Sequence, residues 1–137
     1  HTFTSEKGGT WTDVGHPEAA VLGVHYDYKG YDTYAPYVVV NPNHWTLAGT
    51  ALQTGESFGD DCSGHETDKR DKSSPTNVEI IATGTNPEDG GGEMVYYQHA
   101  KGGGVFSVGS LNFALCLNKD PNASKIVENV VLRFAGQ

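Results

Sequence analysis

Short apolar runs alternate along this chain with longer stretches of glycine and polar residues. Runs rich in β-branched and aromatic residues are typical of strands, and they cover residues 20–26, 37–40, 44–47, 78–83, 93–99 and 105–114. The last of these is the longest, so we expect it to be the central strand of a sheet. Glycines 102–104 precede it and predict a hairpin over residues 93–114.

The final segment has a helical period instead. Its apolar residues recur on one face at a spacing of three and four, at Ile126, Val127, Val130, Val131 and Phe134. Asn122 or Ser124 can cap the start of this helix, and Gly136 can end it. The whole pattern predicts an α+β fold, a mostly antiparallel β-sheet domain with one C-terminal amphipathic helix.

The remaining segments are predicted as loops within one domain. Residues 1–18 are polar and irregular, and residues 27–34 form a hairpin-like loop with Gly30 at its turn. Residues 53–77 are dense in glycine, aspartate and serine, and a loop of that length in a small domain tends to be functional. At 137 residues, the chain 1–137 is long enough for a single domain with one core.

The charge of the chain excludes two classes of partner. The formal net charge is −8 at pH 7, which repels nucleic acid and anionic membrane surfaces. The sequence also lacks an apolar run of about 18 residues, the length that a membrane span needs. We therefore expect neither nucleic acid nor a membrane as a partner.

Three features bear on the compartment. Cys62 and Cys116 either form one disulfide or remain two reduced, partly buried thiols. Asn122 begins an Asn-Ala-Ser sequon, which makes it a glycosylation acceptor in a glycosylating compartment. The chain starts at His1, so either a leader has been removed or the sequence lies inside a longer polypeptide. Together these favour a secreted or extracellular protein.

The densest set of chemical groups lies between residues 56 and 71. It comprises Glu56, Asp60, Asp61, His65, Glu66, Asp68 and Asp71. Carboxylates at such density repel one another unless a cation lies between them, and calcium or an iron bound by oxygen donors would fit. The alternative is a solvated acidic loop that Lys69, Arg70 and Lys72 partly neutralise.

Several short motifs together resemble a known family, by their order and spacing rather than by any one of them. They are Gly9-Thr-Trp-Thr-Asp13, Leu22-Gly-Val24, Tyr37-Val-Val-Val40, His44-Trp45, Gly64-His-Glu-Thr-Asp68 and the segment 102–134. In this arrangement the chain resembles the C-terminal domain of N,N-dimethylformamidase large (beta) subunit-like proteins. The resemblance covers residues 9–134.

The resemblance implies a chemistry and the residues that would carry it. Enzymes of this kind hydrolyse a small amide at a mononuclear iron that two tyrosines and a glutamate hold, and ferric iron can polarise the amide carbonyl or activate water. Glu66 matches that glutamate, Asp68 beside it is a second candidate metal ligand, and His65 is the candidate catalytic residue for proton transfer. The tyrosine ligands of the family lie in an upstream domain, so this chain would hold one ligand of three.

The aromatic residues indicate a different kind of binding. Trp11, Trp45 and the tyrosines of residues 26–37 could form a platform on which sugar rings stack, or they could fill the core. Tyr28, Tyr31 and Tyr34 lie in the polar loop, so we expect these three to be exposed.

Three functions follow, in order of preference. The first is a non-catalytic extracellular structural or self-associating module without a cofactor, which pairs with copies of itself or another chain through its sheet edges. The second is part of an iron-dependent amide hydrolase that another domain or chain completes. The third is a carbohydrate-binding module with a glycan as its partner.

Overall fold

The computed structural model describes residues 11–136. The helices are α1 (Ala19–Leu22), α2 (Phe113–Cys116) and α3 (Pro121–Phe134). The strands are β1 (His25–Asp27), β2 (Tyr34–Val39), β3 (Ser57–Gly64), β4 (Thr67–Lys69), β5 (Glu79–Gly84), β6 (Glu93–Gln98) and β7 (Gly104–Ser107). Single turns of 3₁₀ helix cover Thr12–Val14, Tyr28–Gly30, Trp45–Leu47 and Pro87–Asp89.

The strands form two antiparallel sheets. The larger one has five strands in the order β3-β2-β5-β6-β7, and the smaller one consists of β1 and β4. An isolated bridge between Thr67 and Ser110 joins the small sheet to the segment that follows β7. The α+β class, the antiparallel sheets and the C-terminal helix are therefore confirmed.

Tyr37 on β2 lies at the centre of the core and is fully buried. Its ring stacks on Phe58 at 5.7 Å between centroids and meets the ring of Phe113 edge-on at 6.0 Å. Its hydroxyl donates a 2.6 Å hydrogen bond to the carbonyl of Val108, and burial raises its pKa far above the usual value. Ile126 brings α3 into the same cluster. The predicted apolar face of this helix packs on the core only in part. Ile126 and Val130 are buried, whereas Val131 and Phe134 are 58% and 51% exposed.

Helices close the β3 edge of the large sheet. The Asp120 carboxylate accepts hydrogen bonds from Asn122 N and Ala123 N at 2.8 and 2.9 Å, which makes Asp120 the N-cap of α3. Its other oxygen accepts from the backbone N of Gly59 on β3 at 2.8 Å. The expected caps, Asn122 and Ser124, are wrong because both residues lie inside the first turn.

Five predicted segments differ from the structure. Residues 20–26 contain the end of α1 and only the first two residues of β1, because Gly23 has a φ of 83° and ends the helix there. Residues 44–47 form a 3₁₀ turn, in which His44 Nδ1 accepts a hydrogen bond from Thr46 N. The loop predicted at 53–77 contains β3 and β4, since pairing with β2 and β1 supplies backbone partners to a polar sequence.

The fourth difference concerns residues 105–114. They form the edge strand β7, an irregular crossing and the start of α2, so this segment is not the central strand. Likewise, residues 27–34 do not connect a hairpin, because β1 pairs with β4 and not with β2. The strands predicted at 78–83 and 93–99 agree with β5 and β6 within one residue at each end. The strand predicted at 37–40 lies mostly within β2, which begins three residues earlier. The predicted hairpin is formed by β6 and β7.

Residues 11–18 contain one 3₁₀ turn and no strand, and the rest of the irregular segment predicted at 1–18 lies outside the described residues. Within residues 11–136, none of the helices has the length and apolar character required to cross a membrane.

Candidate functional site

Five of the residues that the sequence singled out lie close together, at the corner between β3 and β4. Tyr26, Tyr31 and Tyr34 lie next to His65 and Glu66 there, and we call these five residues the tyrosine surface. The three tyrosines are 43%, 57% and 47% exposed, respectively. Tyr28, in the turn between the first two of them, is 75% exposed. The expected exposure of Tyr28, Tyr31 and Tyr34 is confirmed.

A buried glycine determines the position of this face. The Asp27 side chain accepts a hydrogen bond from Lys29 N at 3.1 Å and caps the 3₁₀ turn that carries Tyr28. Gly30 ends that turn against β4, where an added Cβ would lie 1.6 Å from Thr67 Oγ1 and 2.3 Å from Gly90 O. Only glycine fits there, so the tyrosine-bearing turn is held close to the small sheet.

His65 occupies the corner in a left-handed conformation, with a φ of 62°. Two backbone hydrogen bonds hold it, His65 N to Thr33 O at 3.0 Å and Asp32 N to His65 O at 2.8 Å. Its exposed ring places Nδ1 3.3 Å from the Tyr34 hydroxyl, and the Tyr31 ring lies 6.1 Å away between centroids. The corner therefore directs the imidazole into the group of phenols.

The electrostatics of the surface keep the phenol of Tyr26 neutral. Desolvation and then the negative charge of Glu66 raise the pKa of Tyr26 above its ordinary value. Burial raises the pKa of Asp68, with the charge of Glu66 adding to the effect and His25 opposing it. Tyr26 is thus a protonated hydrogen-bond donor at neutral pH.

The acidic set expected between residues 56 and 71 is spread over several elements. Asp60 and Asp61 lie on β3, along a different pocket that α2 and α3 also line. The carboxylate of Glu56 accepts from Gln53 N at 2.9 Å, and that of Asp71 accepts from the Ser73 backbone N at 2.8 Å. These four carboxylates therefore have local partners or lie away from the tyrosine surface.

The phenols and the Glu66 carboxylate of the tyrosine surface meet only part of what an iron site needs. Phenol and carboxylate oxygens are suitable donors for ferric iron, and Glu66 and the tyrosines supply both kinds. Within residues 11–136, however, no hydrogen bond joins Glu66 to a tyrosine, and no three side chains among histidine, cysteine, aspartate and glutamate cluster as a metal site. Glu66 and Asp68 as metal ligands, and His65 as a catalytic residue, stay predictions.

The structure joins Cys62 on β3 to Cys116 on α2 by a disulfide, which links two positions 54 residues apart. Asn122 lies half-buried in the first turn of α3. The hydroxyl of Ser124, the last residue of its sequon, donates to the carbonyl of Leu117. Glycosylation of Asn122 stays a prediction.

Sequence reasoning missed the open edge beside the tyrosine surface. β1 pairs with β4 on one side, with Tyr26 opposite Asp68. Within residues 11–136, its other side pairs with no strand. The turn Asp27-Tyr-Lys-Gly30 could have shown where β1 ends. An aspartate that caps a turn before a glycine indicates the end of a strand.

Comparison with known proteins identifies the family. No curated protein matches the chain. The family model described as N,N-dimethylformamidase beta subunit-like, C-terminal, matches residues 1–126. The chain belongs to the family of N,N-dimethylformamidase beta subunit-like C-terminal domains.

Proposed function

We propose that this domain is a non-catalytic, extracellular structural module that self-associates through the outer edge of β1. The observation that carries the proposal is the position of β1, an outer strand flanked by the exposed rings of Tyr26 and Tyr31. An outer strand offers backbone donors and acceptors to another strand, and large aromatic rings beside it supply area to bury.

The two ends of the large sheet are less accessible than β1. At β3, the Asp120 carboxylate and the Cys62–Cys116 disulfide hold the helices against the strand. At β7, the Ser107 hydroxyl donates a 2.6 Å hydrogen bond to the carbonyl of Leu22, which places the end of α1 beside the strand. β1 is therefore the edge most available to a second copy.

The sequence of β1 is suited to pairing with itself. An antiparallel pair centred on Tyr26 places the two Tyr26 residues opposite each other, and it sets His25 of one copy opposite Asp27 of the other. The imidazole of His25 can donate a hydrogen bond to the Asp27 carboxylate across such a pair. Each copy carries a formal net charge of −8, so the two copies repel each other and added salt strengthens the association by screening.

Sedimentation velocity over a range of protein concentrations tests the proposal. The native chain should form a reversible dimer that strengthens from low to high salt. Tyr26→Lys places a charge on the edge and should weaken the dimer at least about tenfold. Val131→Lys, at an exposed position on α3, is the matched control and should leave the dimer unchanged. A monomer at every concentration, or equal weakening by both variants, contradicts the proposal.

The disulfide supports the extracellular placement, because such bonds persist in oxidising compartments and are rare in reducing ones. Secretion of a tagged full-length gene product, with Cys62 and Cys116 protected from thiol-specific alkylation, is the expected result. Reactive thiols at both positions in freshly isolated protein would argue against it.

A second candidate is part of an iron-dependent amide hydrolase that another domain or chain completes. It is favoured by the placement of Tyr31 and Tyr34 beside His65, next to the residue matched to the family's glutamate. Titration with ferric iron distinguishes the two proposals, since bound phenolate gives a visible charge-transfer band. A band that Glu66→Gln removes and Glu128→Gln retains favours the hydrolase, because the non-catalytic module predicts no such band.

A further inference from the structure

An open pocket of about 400 Å³ lies between the hairpin of β6 and β7 and the end of α3. It shares no residue with the tyrosine surface. Its lining consists of Tyr96, Gln98, Gly103, Gly104, Arg133 and Phe134. The set combines two aromatic rings, a side-chain amide and one positive charge, which is the composition of a site for a small organic anion.

The charge in this pocket is held in place by aromatic packing. The guanidinium carbon of Arg133 lies 5.1 Å from the centre of the Trp45 ring, a cation–π contact. Trp45 in turn meets Tyr96 edge-on at 5.2 Å and lies 6.5 Å from Phe134. Arg133 forms no ion pair with any residue in the described range 11–136, so its donors are available to a ligand.

The aromatic wall is fixed before any ligand arrives. The Tyr96 hydroxyl donates to Gln98 Oε1 at 2.7 Å, and Gln98 Nε2 donates to the carbonyl of Gly103 at 2.6 Å. The backbone of Gly104 lies so close to the Tyr96 ring that an added Cβ would come within 2.7 Å of it. A preformed wall lowers the entropy cost of binding a rigid ligand.

A buried histidine behind the wall provides an independent observation. The His44 ring lies 5.2 Å from Trp45 and 5.4 Å from Tyr96, and the residue is 7% exposed. Its Nδ1 contacts Thr46 Oγ1 at 2.8 Å, while its buried Nε2 has no hydrogen-bond partner within the described part of the chain. Burial lowers the pKa of His44, so the ring is neutral at pH 7.

An unsatisfied buried nitrogen is costly, and each one in a native structure calls for an explanation. His44 contacts Tyr96, which lines the pocket, and Trp45, which holds the Arg133 guanidinium, so the unsatisfied atom belongs to the same aromatic cluster. Glu79 faces Tyr96 across the β5–β6 ladder, and its negative charge raises the pKa of His44 against the larger, lowering effect of burial.

We propose that this pocket binds a planar organic carboxylate, with the anion on the guanidinium of Arg133 and the planar body against Tyr96 and Phe134. Guanidinium binds carboxylate by two parallel charge-assisted hydrogen bonds. The flat, apolar part of the ligand covers the exposed ring of Phe134. This proposal is independent of self-association at β1.

Titration of the full chain with benzoate tests the proposal, followed by the NMR signal of the Trp45 indole N–H. We expect a saturable shift with benzoate and binding at least about tenfold weaker with benzamide, the neutral analogue of the same shape. Arg133→Gln should weaken benzoate binding about tenfold. Glu79→Gln should strengthen benzoate binding, because the substitution removes a negative charge that repels the carboxylate.

Lys125→Gln, which removes another positive charge from α3, is the matched control and should leave the affinity unchanged. Circular dichroism of each variant verifies the fold. Equal affinity for benzoate and benzamide overturns the proposal, as does equal loss in the Arg133 and Lys125 variants. The absence of a saturable shift at Trp45 in the native chain also overturns it.

Discussion

Removal of the disulfide should destabilise the domain strongly. The bond joins Cys62 to Cys116, 54 residues apart. Closing a loop of that length removes conformational entropy from the unfolded chain, and the loop-entropy relation gives a stabilisation of about 4 kcal/mol at 25 °C. Both residues are almost fully buried, so replacement by alanine leaves the site apolar.

The double variant Cys62→Ala/Cys116→Ala measures this contribution in urea. With a urea m-value of about 2 kcal/mol/M for a chain of this size, the unfolding midpoint should fall by about 2 M. The native chain after reduction is the control, because it loses the bond while both side chains remain. If the unfolding free energies of both forms lie within about 1 kcal/mol of that of the oxidised chain, the loop-entropy reasoning is wrong.

Three further predictions concern single side chains. Asp120→Ala should cost about 2–3 kcal/mol of unfolding free energy in the same assay, since it removes the cap of α3 and leaves Gly59 N without its acceptor. Asp68→Asn should stabilise the domain at pH 7. Because burial raises the pKa of Asp68 in the folded state, the gain should vanish as the pH falls below 3.8, the ordinary pKa of this carboxyl group, where the folded and unfolded states are both protonated. Gly30→Ala should displace the turn that carries Tyr28, since its Cβ overlaps Thr67 Oγ1, and near-ultraviolet circular dichroism should show the loss of tyrosine signal. An unchanged unfolding midpoint would contradict the expectation for Asp120→Ala. A stability gain that persists at pH 3 would contradict that for Asp68→Asn, and an unchanged spectrum would contradict that for Gly30→Ala.

The strands that the sequence predicted well are those with buried, β-branched side chains. β2 and β5 have enough valine and isoleucine to show their character locally. β3 contains glycine, two aspartates and two serines, so its local pattern indicates a loop. It becomes a strand because Phe58 packs on Tyr37, and because the disulfide holds the strand to α2. Such long-range contacts leave no hydrophobic periodicity in the sequence.

The candidate site shows the same limit. His65 and Glu66 are adjacent in the chain, so sequence reasoning could group them. The approach of Tyr31 and Tyr34 depends on the left-handed corner at His65 and on the pairing of β1 with β4. The contact of Trp45 with Arg133 joins residues that are far apart in the sequence, and nothing in either local segment indicates it.

Hydrogen exchange at the backbone amides of β1, measured at low and high protein concentration, tests the central claim most directly. Self-association through this edge predicts slower exchange at residues 25–27 in concentrated solution, and unchanged exchange in the helical segment 128–134. The Tyr26→Lys variant should show no dependence on concentration. Exchange at β1 that is the same at both concentrations in the native chain would contradict the account.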